Sequence, residues 1–173
     1  MAGIRYRGNE DIADSVGLLI SILVRYPEVA TINFDPVLRT LKFTFIASRI
    51  LDVAEMDSVT RILLESIEAI NKLEGKTARL SQVGRQNCEP YTMIEIQRDV
   101  ETLVQEEIAL IVALFHQHFE SCLITDEGSF LYGEDLLDQE EIIERMLESV
   151  RGFAGDKKLF AYREEGRVLV FNK

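Results

Sequence analysis

Two kinds of hydrophobic spacing alternate along the chain. Between about 29 and 73, an alternating apolar stretch with a turn is followed by a long run spaced for a helix. The same order returns between about 77 and 119, and a third alternating hairpin closes the chain at about 158–172. Period-2 runs build half-buried strands and 3.6-residue runs build amphipathic helices. The pattern therefore predicts an α+β fold, mainly an antiparallel sheet with helices stacked on it.

The individual segments sharpen this. Asn9, Glu10 and Asp11 offer N-cap chemistry for a first helix, with Ile12, Val16, Leu19, Ile20 and Leu23 on one face. Leu18 and Ile22 widen that stripe, and Pro27 ends it. Ile32 and Phe34 alternate with polar neighbours, Asp35-Pro36 marks a turn, and Leu41, Phe43 and Phe45 give the cleanest strand. A helix near 54–73 turns Met56, Val59, Leu63, Ile67 and Ile70 inward, and Gly75 stops it. Thr77 to Val83 reads as a weak strand, Gly84-Arg85-Gln86-Asn87 as a loop, and Tyr91 to Gln97 as a strand.

A third helix is expected over 99–119. It is apolar on all sides from Ile108 to Phe115, so it is either central or covered by another subunit. Cys122 to Ile124 reads as a short strand. Asp138 with Glu141 resembles a capping box before the stripe Ile143, Leu147, Val150, which Gly152 ends. In the last hairpin, a Glu165-Gly166 turn joins Leu159–Tyr162 to Val168–Phe171, whose two faces are both apolar. That is the mark of a strand in the interior or at an interface. From 39 to 125 the order is strand, helix, strand, strand, helix, strand. This is the split βαβ, or ferredoxin-like, arrangement, here with an extra N-terminal helix and a C-terminal β-hairpin.

Composition adds limits. A chain of 173 residues with 3 Pro and no low-complexity stretch suits a single domain over 1–173. The N-terminus lacks the apolar core of a signal peptide. The uncharged run Ser15 to Val24 is too short for a membrane, which needs about 20 residues. Cys88 and Cys122 then read as free thiols of a cytoplasmic protein. Net charge is −11, and residues 99–156 carry 15 acidic against 2 basic side chains. Such a surface repels nucleic acid and attracts a basic protein partner or a cation. A plain solvated face is the competing reading.

Chemistry-bearing patterns are sparse. His116, His118, Cys88 and Cys122 form a nominal zinc set, but no CxxC knuckle is present and residues two apart on a helix diverge. Asp126, Glu127, Glu134, Asp135 and Asp138 crowd one stretch without the alternating ligand order of a calcium loop. The expectation is no metal and no cofactor. No Gly-x-Ser-x-Gly elbow and no glycine-rich phosphate loop occurs. Arg79, Arg85, Gln86 and Asn87 are the best candidates for holding a small anion, since guanidinium forks and amides suit carboxylate or phosphate. Glu134, Asp135, Glu141 and Glu144 mark a candidate acidic interaction face.

These features favour a non-enzymatic protein-interaction or assembly module, expected to form a homodimer, with no membrane or nucleic-acid role. The alternatives are a small-anion-binding domain, or an enzyme whose carboxylate or metal site carries no sequence signature.

Overall fold

A computed structural model of the chain describes residues 2–126, 133–152 and 155–172, with side chains from Ile12 onward. Four helices and six strands follow the order α1 (Ala2–Arg25), β1 (Thr31–Asp35), β2 (Thr40–Ala47), α2 (Val53–Leu73), β3 (Ser81–Cys88), β4 (Tyr91–Asp99), α3 (Gln105–Phe119), α4 (Glu134–Val150), β5 (Leu159–Glu164) and β6 (Arg167–Asn172). The strands form one antiparallel sheet in the order β3-β4-β2-β1-β5-β6. The fold is α+β, with the N-terminal helix and the C-terminal hairpin that the pattern predicts.

Alternation in the strands decides which face is covered. Ile32, Phe34, Leu41, Phe43, Phe45, Ile94, Ile96, Leu159 and Ala161 are all buried, and the register aligns them on one face. The helices close over that face. Phe115 of α3 stacks on Phe45 with ring centroids 3.8 Å apart. α2 contributes Met56, Val59, Leu63 and Ile67, and α4 contributes Ile143, Leu147 and Val150. α1 packs on β1, β5 and β6 and lies against α4, where Gly17 sits beside Met146. α3 lies between α2 and α4, so its apolar girth is met by neighbours on both sides. Among the described residues, no helix is long and apolar enough to cross a membrane.

Several boundaries differ from the expectation, each for a physical reason. Helix α1 runs through Asn9–Asp11 and does not start there. Asn71, not Ile70, takes the last inward position of α2, where its amide donates to Glu107 Oε1 at 2.7 Å. Strand β3 covers Gly84–Asn87, and the tight turn comes later, at Glu89-Pro90. Helix α3 begins at Gln105, not 99, because the Asp99 carboxylate accepts from the backbone N–H of Arg79, Leu80 and Thr102 and holds 99–102 in a turn. Asp138 lies inside α4, whose N-cap is Gly133, so no capping box forms.

Residues 122–124 make only an isolated bridge, Leu123 to Ala47, because β1 already occupies the place beside β2 that a fourth split-βαβ strand would take. Finally, β6 is neither interior nor centrally placed. It is the outer strand of the sheet, and Phe171 is 49% exposed.

Candidate interaction surface

Among the described residues, the second face of the sheet carries no helix, and its two halves differ. The register places Gln82, Gly84 and Gln86 of β3 beside Gln97, Glu95 and Met93 of β4, then Lys42, Thr44 and Ile46 of β2. That half is mainly polar, and Lys42 pairs with Glu95 at 3.3 Å. Beyond Thr31 and Asn33 of β1 come Tyr162 and Phe160 of β5, then Leu169 and Phe171 of β6. Tyr162 lies 5.7 Å from Phe160 and 5.8 Å from Phe171 between ring centroids. Three aromatic rings and a leucine thus cover the outer half on the side away from the helices.

The hairpin that carries these rings is shaped by its turn. Glu165 and Gly166 both have positive φ, 50° and 77°, as a two-residue type I′ connection requires. Its right-handed match to strand twist keeps Val168 and Val170 on the helix side, packed against the core, and Leu169 and Phe171 on the open side. Arg163 ties the hairpin to the end of α1. Its guanidinium donates to Leu23 O at 2.7 Å and to Tyr26 O at 2.7 Å, and Asp126 lies 3.8 Å away. Burial lowers the Arg163 pKa from the usual arginine range, against the opposing pull of Asp126 and Glu28. Beside it a cleft of about 690 Å³ opens on the bare face, walled by Pro27, Ile46, Ile124, Tyr162 and Arg163.

The residues singled out from sequence fall elsewhere. Arg85 and Asn87 share the helix-side face of edge strand β3, where Arg85 Nε donates to Asn87 Oδ1 at 3.0 Å. Gln86 projects from the opposite face, and Arg79 lies before the strand. The four side chains do not converge as one anion cradle. On α4, Glu134, Asp135 and Glu141 are exposed. Glu144 is not part of a free face: it accepts from the Gln105 N–H at 2.8 Å, capping α3, and lies 3.9 Å from Arg151.

His116 pairs with Glu28, His118 is exposed, Cys88 sits exposed at the end of β3, and Cys122 is buried. Among the described residues, no three His, Cys, Asp or Glu side chains are placed to hold a metal. Glu127, one of the crowded acids, lies outside the described residues.

Sequence reasoning missed the most polar feature of the interior. Arg98 of β4 points to the helix side and is fully enclosed. Its Nε and Nη2 donate to the two oxygens of Glu107 at 2.6 and 2.8 Å, Nη2 also donates to Thr102 Oγ1 at 3.0 Å, and Nη1 donates to Leu80 O at 2.9 Å and to Asp99. Burial pushes the Asp99 carboxyl up, but the Leu80 N–H, the Thr102 hydroxyl and Arg98 outweigh it and hold the group below the usual carboxylate range. Glu107 is as enclosed as Arg98. The cluster is a structural clamp. A single Arg amid alternating apolar residues gave no periodic signal for it.

No family model, no curated protein and no solved structure matches this chain.

Proposed function

We propose that this chain is a protein-interaction and assembly domain, which receives a polypeptide strand along β6. The observation that carries this reading is the bare, apolar β6 edge, continuous with the aromatic half of the open face. Soluble proteins blunt edge strands with charges, proline, bulges or a covering element. Strand β3 follows that practice, with Gln82, Gly84, Arg85, Gln86 and Asn87. Among the described residues, strand β6 has none of these between Arg167 and Asn172. Extended segments add to such edges through main-chain hydrogen bonds, and side chains on the flanking face give selectivity. The supporting chemistry of β6 and its flanking face is aromatic and aliphatic.

A photo-crosslinking residue at position 171 tests this. It should capture a polypeptide in the cell, and Val170→Lys should abolish the capture. The same residue at position 82, on the polar half, should capture none. Equal capture at both positions, or capture indifferent to Val170→Lys, defeats the proposal.

A further inference from the structure

We propose that the strand received by β6 is the β6 of a second copy, paired antiparallel about Leu169 on a two-fold axis. This rests on the reading of β6 as a binding edge. The two-residue turn makes Glu164 and Arg167 the closing hydrogen-bonded pair, so Arg167, Leu169 and Phe171 bond to β5. The N–H and C=O groups of Val168 and Val170 therefore point outward from the sheet.

Symmetry then restricts the register. A two-fold axis normal to the sheet puts both helix layers on one side, so side chains of like face must oppose each other, and three registers fit the strand. Centring on Val170 sets Val168 against Asn172, which places an amide on the apolar helix side. Centring on Val168 sets Arg167 against Leu169.

Centring on Leu169 satisfies every position. Val168 opposes Val170 of the second copy, and Val170 opposes its Val168, each pair exchanging two backbone bonds through the outward groups. Leu169 meets Leu169 on the axis, on the open side. Arg167 faces Phe171 of the second copy, a cation over an aromatic ring. No like charges meet in this register. The two six-stranded sheets become one continuous sheet, and the ring clusters of Phe160, Tyr162 and Phe171 from both copies border one apolar surface. The same operation on β3 finds Gly84, Arg85 and amides, and offers no comparable pairing.

The test is the mass of the full chain in solution, by light scattering at tens of micromolar in low and moderate salt. Wild type should be a dimer. Leu169→Lys and Leu169→Glu should each be monomeric, with dissociation constants raised about 100-fold or more by like charges opposed on the axis. Mixing the two variants should restore a dimer of one of each, which only the register centred on Leu169 predicts. Should either variant fail to fold, Leu169→Cys in a Cys88→Ser background replaces it. Oxidised glutathione should link two copies through position 169, and through position 168 far more slowly.

A monomeric wild type, variants that stay dimeric, no rescue on mixing, or no preference for linkage at 169 overturns the inference. A monomer whose position 171 still captures another polypeptide leaves the interaction reading standing. A monomer with no capture removes both.

Discussion

The two ends of the sheet solve the same problem in opposite ways. At the β3 end, a mostly polar strand, with Val83 packed against the core, is held by an enclosed ionic clamp: Arg98 reaches Leu80 O, and Asp99 takes the N–H groups of Arg79 and Leu80. At the β6 end, apolar residues pack against the helices from one side, while others stand on the open face. Their anchor is Arg163, which closes over the last carbonyls of α1. The difference teaches that a terminal strand can be secured with one apolar side chain, Val83, and an ionic clamp. The apolar character of β6 therefore exceeds what holding the strand requires.

The sharpest way to break the comparison is at the clamp. Arg98→Ala leaves Glu107 and Asp99 charged and enclosed without their cation, and should cost about 3–5 kcal/mol in urea unfolding. A loss under about 1 kcal/mol would mean that the β3 end is held by something else. Arg163→Ala, at the opposite end, removes charge-assisted bonds from a partly exposed side chain. It should cost about 1.5–3 kcal/mol, and it should loosen the β5–β6 hairpin before the rest, seen as faster amide exchange at Leu159–Glu164.

Acid should loosen the β3 end through Asp99. The folded pKa of Asp99 lies below its unfolded value, so its contribution is present above the ordinary aspartate range and is lost as pH falls through the lowered folded value. Unfolding measured stepwise below pH 5 should show this loss, and Asp99→Asn should flatten that slope. An unchanged slope would show that Asp99 is not its source. Smallest of all, Gln86→Ala on the polar open face should shift stability by less than about 0.5 kcal/mol and leave crosslinking at position 171 unchanged.

What could be read from the sequence tracks this contrast. Leu41, Phe43 and Phe45 alternate cleanly because β2 is central, with one face in the core. The stripes Met56, Val59, Leu63, Ile67 and Ile143, Leu147, Val150 were equally legible, since a helix over a sheet needs one apolar face. Strand β3 is only half legible: the weak strand signal of Thr77 to Val83 overlaps its start, while Gly84 to Asn87 carry loop-like composition. The start of α3 is not legible, because Asp99 and Glu101 are acids of the kind a first helical turn favours, while Asp99 serves the backbone of the preceding turn. Strand β6 is apolar on both sides, a pattern that does not distinguish an interior strand from an edge. The candidate anion residues share a chemical type, but neighbours along a strand alternate in direction, which separates Gln86 from Arg85 and Asn87.

The pairing of β1 with β5 joins residues 31–34 to 159–162, the longest reach in the sheet. During synthesis, at about 5–20 residues per second, roughly 5–20 seconds separate the completion of the β1–β2 hairpin from the emergence of β5. Throughout that interval the outer edge of β1, with Ile32 and Phe34, has no partner strand. The growing chain therefore carries a transient adhesive edge at the future centre of its sheet, and crowding of nascent chains on one message should be felt there first. Slowing translation after Ala47 would lengthen that exposure, whereas fusing the β5–β6 hairpin ahead of α1 by circular permutation would remove it.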